Sequence, residues 1–77
     1  MARVYTLSQA YAELQRARSL EGYQGSFAHR AAHVAAARGY LDDEYERDGA
    51  DAATLRAAEV EVRQAEDELR REQPAAH

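Results

Sequence analysis

Leu7, Ala10, Tyr11, Leu14 and Ala17 recur at intervals of three and four, the spacing that puts apolar residues on one face of a helix. The same periodicity returns in Phe27, Ala31, Val34, Leu41 and Tyr45, and again in Leu55, Ala58, Val62, Ala65 and Leu69. The last set is a heptad seam. Three helices are predicted, over about 7–21, 27–47 and 52–73, with residues 74–77 as a tail.

The punctuation between them agrees. Thr6-Leu7-Ser8-Gln9 fits a capping box, in which the hydroxyl and the glutamine each satisfy a free backbone N–H. Gly22 is a natural stop, because glycine tolerates the left-handed conformation at a helix end. Ser26 is the expected N-cap of the second helix. Asp48-Gly49-Ala50-Asp51 reads as a turn in which Gly49 closes one helix and Asp51 caps the next. The second and third helices then form a long antiparallel hairpin, and Ala2–Tyr5 leads into a shorter helix added to it. Gly39 falls inside the second helix, where Gly costs about 1 kcal/mol relative to Ala. Gly39 could mark a close crossing or break the segment in two; because the apolar face keeps its phase across Gly39, a continuous helix is the expectation.

Composition weakens this picture energetically. Ala supplies 18 of the apolar residues, against six Leu, four Val, five Tyr, one Phe and one Met. Alanine helices form readily but bury little area, and burial stabilises by roughly 25 cal/mol per Å². A single domain of 77 residues with so few large apolar side chains is expected to gain stability by self-association, most simply as a two-fold dimer. The seam of the third helix and a polar stripe on the second are the two surfaces expected to serve, one within the chain and one between chains.

Charge narrows the function classes. A net charge of −4 argues against a general nucleic-acid binder, which presents a basic face. All ten basic residues are Arg, which with the Ala excess suggests a GC-rich genome. Without Cys there is neither a disulfide framework nor a thiolate zinc site. No apolar run nears the roughly 20 residues that span a bilayer, and Met1–Leu7 is too short for a signal-peptide core. A cytoplasmic protein is expected.

Four features carry candidate chemistry. His29, His33, Ala36, Tyr40 and Arg47 lie opposite the apolar face of the second helix. Tyr offers contact area with a polar tip, Ala36 a close approach, and Arg47 an orienting charge. The stripe reads either as a partner-binding surface or as packing against helix one or a second copy. His29 and His33 stand four apart, but a zinc site needs a third ligand and usually a fourth, so no metal and no cofactor is expected. Asp42, Asp43, Glu44 and Glu46 form an acidic patch at a helix C-terminus, where the helix dipole disfavours negative charge. It reads as a solvated tip or as a surface for a basic partner. Arg38 lies on the apolar face, so it must pair with an acid, with Glu59 and Glu66 the candidates, or point into a cleft as an anion contact. On the third helix, Glu59 with Arg63 and Glu66 with Arg70 have the favourable four-residue spacing.

Tyr5-Thr6-Leu7-Ser8-Gln9-Ala10 resembles the opening of a MerR-like or excisionase helix-turn-helix. The resemblance implies DNA binding, but Ser19-Leu20-Glu21-Gly22 supplies neither the turn nor the basic recognition helix that should follow. No phosphate loop or nucleophile–base set is present. The expectation is a small acidic protein-binding module without catalytic activity, an adaptor or inhibitor of the kind phages and mobile elements encode. The alternatives are an oligomeric binder of a small anion or nucleotide-like ligand, and a DNA-binding accessory protein.

Overall fold

The structure, a computed structural model, describes residues 6–23, 26–47 and 49–72. Those residues form three helices, α1 (Thr6–Ser19), α2 (Phe27–Tyr45) and α3 (Ala52–Glu72). The fold is all-α, and the helix packing is that of a three-helix bundle. The chain measures 42 × 21 × 16 Å along its principal axes.

α1 and α2 each end about two residues earlier than the periodicity predicts. Leu20 N–H donates to the Ala17 carbonyl and Glu21 N–H to Arg18, so the last turn tightens. Glu46 and Arg47 likewise turn back onto Asp42, Asp43 and Glu44. Gly22 and Gly49 follow at φ 90° and 85°, the left-handed conformation expected of glycine beyond a helix end.

The caps divide. Asp51 caps α3 as expected, its Oδ2 accepting from Thr54 N–H at 2.8 Å and Thr54 Oγ1 at 2.6 Å. Ser26 does not cap α2 with its side chain. Its backbone is helical rather than extended (φ −84°, ψ −4°), and its Oγ accepts from Arg30 Nε at 3.0 Å. A buried guanidinium has taken the hydroxyl that would have served the helix end. The lead-in at Ala2–Tyr5, the side chain of Thr6 on which the capping box rests, and the tail at 74–77 lie outside the described residues.

Nine apolar residues form the core: Ala10, Leu14 and Ala17 of α1, Val34, Ala37 and Leu41 of α2, and Leu55, Ala58 and Val62 of α3. Four of the nine are Ala, so helix axes approach closely where they meet. The heptad seam of α3 faces this core, with Ala65 and Leu69 packed against its edge. Gly39 is not the crossing point. It is exposed, and a Cβ there would meet nothing within 4 Å. The helix is continuous, as expected, but its close approach is at Ala37, which shares the phase of Val34 and Leu41 and is fully buried. Tyr45 is also displaced from its expected place on the core face. It is 47% exposed, its ring at the rim and its hydroxyl donating to Glu59 Oε1 at 3.0 Å.

Candidate functional site

α2 runs between the other two helices, so the fate of each candidate residue follows from its angle around that helix. At about 100° per residue, the phase of Arg30, Val34, Ala37, Leu41 and Glu44 points inward, and all five are buried. The polar stripe borders this phase and is not one open surface. His33 places Nδ1 2.7 Å from Oε1 of Glu13 on α1. Ala36 is half-buried, and Tyr40 is half-buried and packs against the core. Arg47 donates through Nε to Glu44 Oε1 at 2.5 Å. His29 alone of the five is fully exposed. Among the described residues, no group of three His, Asp or Glu converges as a metal site.

The acidic patch needs one correction. Asp42, Asp43 and Glu46 are exposed, but Glu44 is 2% exposed. It lies on the inward phase, three residues beyond Leu41, and answers Arg47 instead of solvent. Asp42 and Asp43 in the last turns of α2 and Glu46 at its C-cap stand where the last turn holds no basic residue to offset the helix dipole, though Asp42 lies 3.7 Å from Arg38 one turn earlier.

Arg38 bridges α2 to α3. Its Nε and one terminal nitrogen donate to Glu66 at 3.1 and 3.0 Å. Both terminal nitrogens donate to Glu59 at 2.9 and 3.0 Å. These are the two acids the sequence offers, and they occupy the guanidinium fork, with Asp42 Oδ1 a looser third partner at 3.7 Å. The hydrogen bonds to Glu66 and Glu59 raise the Arg38 pKa above its ordinary value. Glu59 also accepts from Arg63 Nε at 2.6 Å and from Tyr45. Its carboxyl is held at about 2, first by the Arg38 hydrogen bonds and then, against the cost of burial, by Arg63 and Tyr45. Burial and the bond to Glu59 push the Tyr45 phenol up. The Glu59–Arg63 pair is thus as expected. The Glu66–Arg70 pair is replaced: Glu66 turns inward to Arg38, and Arg70 takes Asp67 Oδ1 at 2.9 Å.

A second bridge was missed in the sequence. Arg30, 9% exposed, makes a two-bond fork to Glu72 at 2.8 and 2.6 Å. Its guanidinium also lies 5.9 Å from the centre of the Phe27 ring, within cation–π range. The signal was available, since Arg30 precedes Val34 by four and Ala37 by seven. The hydrogen bond between them raises the Arg30 pKa and lowers that of Glu72.

Outside these bridges the α2–α3 face stays open. A depression of about 350 Å³ lies between Phe27, Ala31, Ala35 and Leu69, rimmed by Glu66 and Arg70. Another of about 300 Å³ lies at the opposite end, between Tyr45, Ala52, Leu55 and Arg56. Beside them the outward face of α2 carries Ala28, Ala32, Ala35 and Gly39, all exposed.

No protein-family model, curated protein or solved structure matches the chain. Among the described residues, no helix is long and apolar enough to cross a membrane.

Proposed function

We propose that this chain is a non-enzymatic protein-binding module, an adaptor or inhibitor, that docks through the outward face of α2 and α3. One observation carries the reading. The buried and half-buried charges are answered by one another, whereas the outward face of α2 is a run of small residues ending in exposed acids, of which Asp43 and Glu46 have no ion pair among the described residues. Paired charges present little to a small ligand. Arg38 would have to release both Glu59 and Glu66 to hold an anion. A slim helical face beside apolar depressions suits a second helix, for which small residues allow close approach and apolar hollows receive side chains.

The test compares the wild type with Gly39→Arg, which adds bulk and charge where a side chain meets no atom of its own chain. A protein held by the wild type in cell extract, reconstituted from purified components and lost with Gly39→Arg, supports the reading. A rise in Tm with phosphate or nucleotides, together with loss of that rise in Arg38→Ala, overturns it in favour of a ligand binder. A duplex DNA shift that weakens steeply with salt overturns it in favour of a DNA accessory protein.

A further inference from the structure

Three exposed features lack a reason within the chain. Gly39 sits in a helix at a cost of about 1 kcal/mol with nothing within 4 Å of where its Cβ would be. Val60 is 51% exposed on the far side of α3 from the core. Asp43 and Glu46 stand at the C-terminal end of α2, beside Asp42, without an ion pair among the described residues, and the last turn holds no basic residue.

The same chain carries a face that answers all three. Arg56, Arg63 and Arg70 stand seven apart on α3, all exposed, a spacing that keeps them in one row. Arg56 makes no ion pair among the described residues, and Arg63 and Arg70 pair only with acids of their own helix. Val60 borders the row. The levels of the two helices are fixed by their contacts. Arg56 lies level with Tyr45, Glu59 and Glu66 straddle Arg38, and Arg70 lies level with Ala31 and Ala35.

We infer that the outward face of α2 binds the outward face of α3 of a second copy, and the reverse, about a two-fold axis parallel to the helices. This rests on the docking face proposed above and names its partner. Such an axis preserves level. It sets the partner's Arg56 between Asp42 and Glu46, and the partner's Val60 against the opening left by Gly39. It sets the partner's Arg70 stem on Ala31 and Ala35. The apolar depressions of the two copies close on each other, like end to like end, as a self-complementary interface requires. An axis perpendicular to the helices instead stacks α3 on α3 and brings Arg56 against Arg70 of the other copy, a like-charge contact that costs stability. The molecule's extents of 42 × 21 × 16 Å leave room on one long face for the ~800 Å² per partner of a standard interface.

The experiment is solution mass by sedimentation equilibrium across protein concentration, with circular dichroism on every variant. The wild type is expected to be a dimer dissociating on dilution. Glu46→Arg and Arg56→Glu should each weaken it by about tenfold or more, and the double variant should recover most of that loss, because the swapped pair meets again across the axis. Gly39→Gln should raise helicity yet weaken the dimer, the opposite of what a purely local role for Gly39 yields. A wild type monomeric at every concentration overturns the inference. So does a dimer indifferent to all three single substitutions, or a double variant as weak as the sum of the singles. A monomer that still loses its partner protein with Gly39→Arg would leave the docking face standing and remove only the second copy as its occupant.

Discussion

The two sides of α2 are joined to their neighbours by different physics. Towards α1, Ala10, Leu14 and Ala17 meet Val34, Ala37 and Leu41 with almost no exposed area. Small side chains let that seam close, and dispersion and burial hold it. Towards α3, long charged side chains stand between the helices. Arg38 spans to Glu59 and Glu66, Arg30 to Glu72, and apolar hollows remain beside these bridges. The α1 side should therefore be sensitive to volume, and the α3 side to charge state.

The largest effect should come at the junction of both. Leu41 is fully buried, and Leu41→Ala should cost about 2–5 kcal/mol, read by urea denaturation. Volume sensitivity is separated by a pair of variants. Ala37→Leu should cost about 1–3 kcal/mol by overpacking the α1 seam. Ala35→Leu, exposed two positions away, should stay within about 0.5 kcal/mol at protein concentrations where the chain is monomeric. Equal losses from the two would erase the contrast.

Charge sensitivity is next. Arg38→Ala should cost about 1–3 kcal/mol, since it leaves partly buried Glu66 without its donor and Glu59 with only Arg63 and Tyr45. Acid should act on the same bridge. The Glu59 pKa is lowered from 4.5 to about 2, so its contribution is fully present above pH 4.5. It is lost as pH falls from there through about 2. Amide exchange should show α3 losing protection in that window before the α1–α2 seam does, and Glu59→Gln should flatten its share of the slope. Uniform loss across the three helices would show that the two sides do not differ. The smallest effect is favourable: Gly39→Ala should add about 1 kcal/mol of helix stability, by thermal melting at low protein concentration.

The helices were legible because their signals are local. Periodicity, Gly22, Gly49 and the Asp51 cap each act within a few residues, and each stands where the sequence put it. Arg38 with Glu59 and Glu66 was legible for a different reason: a charge on an apolar face has few ways to be satisfied. The polar stripe was not legible as a place. Ala dominates α2 on every side, so apolar periodicity cannot say which arc meets α1 and which meets solvent. His33 and Tyr40 were therefore set opposite the core, yet border it, while Glu44 was set in solvent and is buried. Ser26 failed as a cap because its hydroxyl is taken by Arg30, whose place on the inward phase was legible but was not read. Of the two surfaces, the α3 seam packs within the chain, as one of them was expected to, while much of the stripe borders α1 and is not the open surface the sequence suggested.

The buried alanines separate residues that look identical on the page. Ala10, Ala17, Ala37 and Ala58 are buried in the core, where a larger group overpacks, whereas Ala28, Ala32, Ala53 and Ala57 face outward. A lineage diverging under selection for the fold alone would keep the first four as Ala, Gly or Ser and let the second four drift to Glu, Gln or Arg. Among the exposed four, any that stayed small across that drift, above all Ala28 and Ala32, would record a contact made outside the chain.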